Sequence, residues 1–242
     1  VQGIRDIFRV APVTVVLAGL AVAIYVAQAL LWSGEGPPDV GEWALSGQAL
    51  SEGRWWTLVT HLFLHGNLLH LFVNVLALWF IGPEVERTLG SGRFLLLYFA
   101  AGVAGGLLQI AFSAPQAQLV GSSGAVCGVL LSFTTAYPDR RLQALLFFIV
   151  PVNMKARTLG WGLIVFSLVL AVLNILPQIG HLAHLGGALV GAGLTWWWRR
   201  RSPGRPAGAA GGSGAARADD LLRRLAEEGL ESLSREERQT LE

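Results

Sequence analysis

Ser123 and His184 are the residue types that nucleophilic catalysis requires. A serine hydroxyl attacks poorly until a base takes its proton, and histidine is the usual base. Attack on a carbonyl also builds an oxyanion, which needs donors. Ser123 opens the apolar run 122–137. If that run is a helix, its first free N–H groups and its dipole favour negative charge beside the serine. His70 and Asn74 are one helical turn apart and offer side-chain donors. A carboxylate third partner is not in evidence, because Asp6, Asp39, Asp139, Asp219 and Asp220 all fall in loops or tails. The expectation is therefore a Ser–His dyad whose imidazole is oriented by packing. The plainer alternative for Ser123 is a helix N-cap, a common use of serine. It is not a nucleophile elbow, since G-x-S-x-G fails at Ala125.

A competing chemistry is metal binding. His61 and His65 are spaced i, i+4, and His181 and His184 i, i+3, which can put two imidazoles on one helix face. There is no H-E-x-x-H and no acidic residue well inside an apolar run. The single cysteine, Cys127, excludes an internal disulfide and a Cys-based zinc cage. The expectation is no metal and no other cofactor, with a histidine-based metal transporter as the lesser alternative.

The elements that must position these residues follow from composition. Hydrophobic residues make up 53% of the 242-residue chain and charged residues only 14%. A typical soluble domain carries about 25% charge. That argues against a soluble enzyme or a disordered chain and for several membrane spans. Six are read, at 11–32, 66–83, 94–113, 122–137, 158–176 and 181–198. The first lacks a small-residue cleavage site and reads as a span, not a signal peptide. The fourth would be only about 24 Å long, so one of its ends should face a water-filled cavity.

Basic residues orient the bundle. Arg5, Arg9, Arg87, Arg93, Arg140, Arg141, Lys155, Arg157, Arg199, Arg200, Arg201 and Arg205 fall on one side, and the opposite loops hold only Arg54. Both termini should then be cytoplasmic. Trp196, Trp197 and Trp198 should anchor the last span at the interface. The loop 33–65, with Trp43, Trp55 and Trp56, reads as an amphipathic external segment lying in the interface. Residues 142–154 are apolar but interrupted by Pro151, and read as an interfacial piece leading into span 5.

With that orientation, His70, Asn74, Ser123 and His184 all lie within about 12 Å of the outer ends of their helices. Gly124 with Gly128 and Gly187 with Gly191 form GxxxG steps immediately after Ser123 and His184. Such steps let helix backbones meet closely. Residues 1–201 should form the membrane domain. The stretch 202–216 is a Pro-, Gly-, Ala- and Ser-rich linker, and 217–242 a small cytoplasmic helical tail. Gly229 reads as a helix stop there, and Ser234 with Glu237 as a capping box.

Three motifs in order resemble the rhomboid family of intramembrane serine proteases: HGNLLHLFVNVLALW at 65–79, GSSGAVCG at 121–128 and AHLGGALVG at 183–191. GPEVERTLGSGRFLLLYF at 82–99 is similar to the family's loop after span 2, with Glu86 like a structural acidic residue. GLESLSREER at 229–238 is similar to a segment that follows some bacterial rhomboid cores. The resemblance implies an all-α, polytopic, six-transmembrane-helix bundle. It implies hydrolysis of peptide bonds in or near transmembrane segments of protein substrates, without a cofactor. Ser123 would be the nucleophile and His184 the general base and acid. His70, Asn74 and the Ser123 N–H would form the oxyanion hole, beside structural positions Gly121, Gly124, Cys127, Gly128, Gly187 and Gly191. Span 5 and a cap loop at 114–120 would gate access. Short loops fit a bacterial inner-membrane protein whose site opens to the extracytoplasmic side, with the bilayer as partner and no nucleic acid. Cys127 stands where the family commonly has an aromatic ring against the catalytic histidine, His181 where an Asn is frequent, and Thr57 where an Arg follows Trp. A proteolytically inactive, rhomboid-like binder of transmembrane helices is the remaining alternative.

Overall fold

The computed structural model describes residues 9–31, 40–146, 150–176 and 179–201. The chain is mainly helical. In order come α1 (Pro12–Leu31), two short helices α2 (Gly47–Ser51) and α3 (Thr57–Thr60), α4 (Leu68–Leu89), α5 (Ser91–Ile110), α6 (Ser123–Ala136), strands β1 (Arg141–Leu146) and β2 (Val150–Lys155), α7 (Ala156–Val172) and α8 (His181–Arg201). Three of them, α1, α4 and α5, are long and apolar enough to cross a membrane, while α6 and α7 are shorter apolar helices. α8 is long but ends in Arg199, Arg200 and Arg201. The linker and tail features expected after residue 201 lie outside the described residues.

α6 sits at the centre. Most of its residues are buried, and it packs chiefly against α8 and α5, with α4 and α7 also beside it. The main core is built around Phe94, Leu97 and Tyr98 of α5, Leu62 of the loop before α4, and Val129 and Phe133 of α6. By contrast, large side chains such as Leu20, Phe80, Leu96 and Val165 are exposed on the outer helices. Apolar faces on that scale suit a protein whose outer solvent is lipid.

Two elements differ from the sequence expectation. Span 2 was expected to end at residue 83, yet α4 continues through Pro83 to Leu89 and stops at Gly90, whose φ is +82°. The missing proline N–H is tolerated because packing against α1 holds the helix: Gly82 lies against Thr14, where an added Cβ would come within 2.7 Å of the threonine methyl. The segment 142–154, expected as an interfacial piece of unstated structure, is an antiparallel strand pair, running from Arg141 opposite Lys155 to Leu146 opposite Val150. The all-α expectation omits it. Pro151 is poorly suited to a helix interior and acceptable in a two-stranded ribbon, which is all edge.

The buried carboxylate of Glu86 ties the first span to the bundle. It accepts hydrogen bonds from Val13 N at 3.0 Å, Thr14 N at 2.8 Å and the Thr14 hydroxyl at 2.8 Å, and from the Ser91 hydroxyl at 2.7 Å. These include two free N–H groups at the start of α1, where a negative charge also complements the helix dipole. The loop before α4 is held too. Arg54 donates to the Gly41 carbonyl at 2.8 Å and pairs with Glu52 at 2.6 Å. Leu45 bridges to Leu119 in antiparallel fashion.

Candidate active site

Ser123 is the first residue of α6, and the N-cap position is taken by Ser122. Neither serine caps the helix with its side chain: Ser122 makes no capping hydrogen bond, and Ser123 lies one position inside. His184 sits in the first turn of α8, its N–H bonded to the Gly180 carbonyl at 3.0 Å. The Ser123 Oγ and His184 Nε2 are 2.9 Å apart. Two residues separated by sixty-one positions are thus in hydrogen-bond contact across two helices.

Glycine makes that contact sterically possible. A Cβ on Gly187 would lie 1.9 Å from the Gly124 carbonyl oxygen, and one on Gly191 would lie 2.0 Å from the Gly128 oxygen. On the other side of α6, a Cβ on Gly128 would meet the Ala101 methyl at 2.3 Å. α6 and α8 therefore touch backbone to backbone along the two GxxxG steps, one turn from Ser123 and His184. Further along the same pair, Thr195 donates to Ser132 at 2.6 Å in a buried contact.

His70 reaches the same neighbourhood from α4. Gly121 has φ +116°, and a Cβ there would fall 2.5 Å from the His70 ring. Gly121 N also donates to the His61 carbonyl at 2.8 Å, which fixes the turn into α6. The His70 ring meets His65 edge-on, with centroids 5.1 Å apart. Asn74 is buried one turn further along. Its Nδ2 donates to the His70 carbonyl at 2.9 Å, so one amide hydrogen is engaged within its own helix and the other remains.

Cys127 is buried in a small cluster with Leu131 and Ala188. The ring facing His184 edge-on is instead His181, at 6.2 Å. His181 is held by its own bond, Nε2–H to the Ile175 carbonyl at 2.9 Å. Among the described residues, no carboxylate hydrogen-bonds to His184, and no three His, Cys, Asp or Glu side chains converge as a metal cluster. His61 donates from Nδ1 to the Thr57 carbonyl at 2.8 Å. Glu86 is not near this site. It lies about 24 Å along α4 from His70, at the end where it binds α1.

One polar residue escaped the sequence reading. Gln109, near the end of α5, accepts with Oε1 from Leu182 N at 3.1 Å and Ala183 N at 3.3 Å. Its Nε2 donates to Ser113 at 3.1 Å. Gln109 thereby satisfies two free N–H groups of α8 immediately before His184. Its signal was faint: a glutamine in an apolar span, visible as a cap only once α8 is beside it. Gln109 and Ser113 also border a small polar cavity of about 190 Å³ with Gln118 and Gly180.

Residues 52–201 match the Rhomboid domain family, and the chain belongs to that family. It is an integral membrane protein. It is similar to rhomboid protease GluP of Bacillus subtilis, 37% identical over 59% of this chain and 26% of that protein. It is also similar to rhomboid protease GlpG of Salmonella paratyphi A, 27% identical over 78% of this chain and 63% of that protein. RHOMBOID-like protein 2 of Arabidopsis thaliana is 30% identical over 60% of this chain and 42% of its own length. The chain thus spans less than two thirds of the length of these relatives.

Proposed function

We propose that this protein is an intramembrane serine endopeptidase that cleaves peptide bonds in or near transmembrane segments of membrane proteins through a Ser123–His184 dyad. The observation that carries the reading is the 2.9 Å approach of Ser123 Oγ to His184 Nε2, in a chain of the rhomboid family.

The chemistry follows from those atoms. With His184 neutral and protonated on Nδ1, the Ser123 hydroxyl donates to Nε2. Oγ attacks the scissile carbonyl carbon as its proton passes to Nε2. The oxyanion is met by the Ser123 backbone N–H, the His70 ring and the second Asn74 amide hydrogen. Collapse breaks the C–N bond while His184 returns its proton to the leaving amine, leaving an ester on Ser123. Water then attacks the ester, His184 takes its proton, and Ser123 is regenerated with release of the acid. In this reading the polar cavity at Gln109 and Ser113 supplies water from the side of the cap loop, and the His184 ring is steadied by His181 and by the tight α6–α8 contact, with no carboxylate partner.

Six helices, α1, α4, α5, α6, α7 and α8, cross the bilayer in this reading. The arginine-rich end is cytoplasmic with both termini, and Ser123 opens to the extracytoplasmic side of a bacterial inner membrane. The test is cleavage of a transmembrane reporter in liposomes. Ser123→Ala and His184→Ala should each abolish it, and a chelator should leave the unaltered protein active. Undiminished cleavage by Ser123→Ala sinks the serine mechanism, and no cleavage of any transmembrane reporter by the unaltered protein favours an inactive helix binder.

A further inference from the structure

At the arginine-rich end of the bundle, α4 and α7 do not pack closely against each other. The space between them is a groove of about 570 Å³ with a predominantly apolar lining. Val73, Leu76 and Phe80 of α4 form one wall, Leu159 of α7 the other, and Phe133 of α6 the floor. The three α4 residues recur at helical spacing, so one face of the helix is given to the groove. Phe80 is largely exposed.

The mouth of the groove is charged. Arg140 and Glu84 line it. Glu84 accepts from Arg140 at 2.8 Å and from Arg87 at 2.7 Å. Two guanidiniums share one carboxylate, which leaves one positive charge. The same ratio repeats next door, where Lys155 at 3.5 Å and Arg157 at 3.4 Å share Asp139. Arg141 adds a further cation with no ion pair among the described residues. Arg140 is half exposed and lies over the rings of Phe133 and Tyr137 at 5.7 and 5.6 Å. Its guanidinium has five N–H donors, and the only side-chain acceptor it meets among the described residues is Glu84. Those aromatic contacts hold it aimed at the mouth.

An apolar slot that ends at a fixed guanidinium with donors to spare, in a field of net positive charge, has the shape and polarity of a phospholipid turned inside out. We propose that this groove binds one phospholipid with an anionic headgroup. An acyl chain lies along Val73, Leu76 and Phe80, and the headgroup phosphate is bonded by Arg140. Basic pockets between transmembrane helices bind anionic headgroups on the same physical grounds. Guanidinium is the cation best matched to phosphate oxygens. The excess positive charge selects an anionic headgroup over a zwitterionic one.

The test is native mass spectrometry of the full chain from mixed micelles holding equal amounts of phosphatidylglycerol and phosphatidylcholine with the same chains. The unaltered protein should retain one phosphatidylglycerol in clear preference. Arg140→Gln should weaken that retention about tenfold, the scale of one charge-assisted contact. Glu84→Gln should strengthen it, because it removes the carboxylate that competes for Arg140. Opposite directions from two partners of one ion pair cannot come from a shared folding defect, and Glu84→Gln decides alone if Arg140→Gln does not fold. Equal retention of both lipids by the unaltered protein, or a preference that neither variant moves, overturns the proposal. So does expulsion of the retained lipid by a saturating transmembrane peptide that the protein does not cleave, which would make the groove a seat for protein helices in general and not for lipid.

Discussion

At the scale of single residues, the site divides its duties among three helices. Ser123 and His184 carry the covalent and proton-transfer steps in our proposal, and Gly121 lets His70 approach. Asn74 is the sharpest probe of the oxyanion hole. Its amide is anchored by one hydrogen to the His70 carbonyl at 2.9 Å, so a developing negative charge would meet a donor already oriented. Asn74→Ala should lower kcat by roughly 10–1000-fold with little change in KM. Unchanged turnover of the transmembrane reporter would remove Asn74 from the hole. Ser123, His184, His70 and Asn74 were legible in the sequence because each is a polar residue in a nearly uncharged apolar run. Gln109 was not, because its role depends on which backbone N–H groups α8 presents to it. Glu86 was recognisable as structural, but its partners Val13 and Thr14 lie more than seventy positions away.

At the scale of elements, the dyad depends on how close two helices can come. The α6–α8 contact is backbone on backbone, with no room for a Cβ at Gly187 or Gly191. Gly187→Val should drive the helices apart, break the Ser123–His184 contact and abolish cleavage. The melting temperature should fall as well, since overpacking costs about 1–3 kcal/mol or more where backbone must yield. A variant that cleaves at the original rate would show that the close approach is not needed. The GxxxG spacing announced this contact, and α6 itself, at Ser123–Ala136, lies within a residue or so of the expected run 122–137. The strand pair at 141–155 was hidden for a physical reason. Its central sequence, residues 144–152, is an unbroken apolar run, so neither the two-residue nor the 3.6-residue period stands out. The expected end of span 2 falls six residues early, because tertiary packing carries α4 past Pro83 to Leu89.

At the scale of the whole molecule, the loop before α4 buries two imidazoles against the bundle. His61 and His65 are almost wholly buried. Burial pushes each of them down to about 4 from the usual 6.5, with His70 also lowering His65. An unfolded chain would bind their protons first, so their contribution is full above about pH 6.5 and is lost as the pH falls toward 4. The melting temperature in detergent should therefore fall between pH 7 and pH 5, and His61→Gln should flatten part of that slope. A slope identical in that variant would assign the effect elsewhere. The central claim is that His184 activates Ser123 inside this bundle. The most direct measurement is covalent labelling of the bilayer-embedded protein by a fluorophosphonate, with the modified residue located by mass spectrometry. The account predicts a phosphonate on Ser123 in the unaltered protein and none in His184→Ala. Labelling of Ser123 at an equal rate in His184→Ala, or modification of another residue alone, would contradict it.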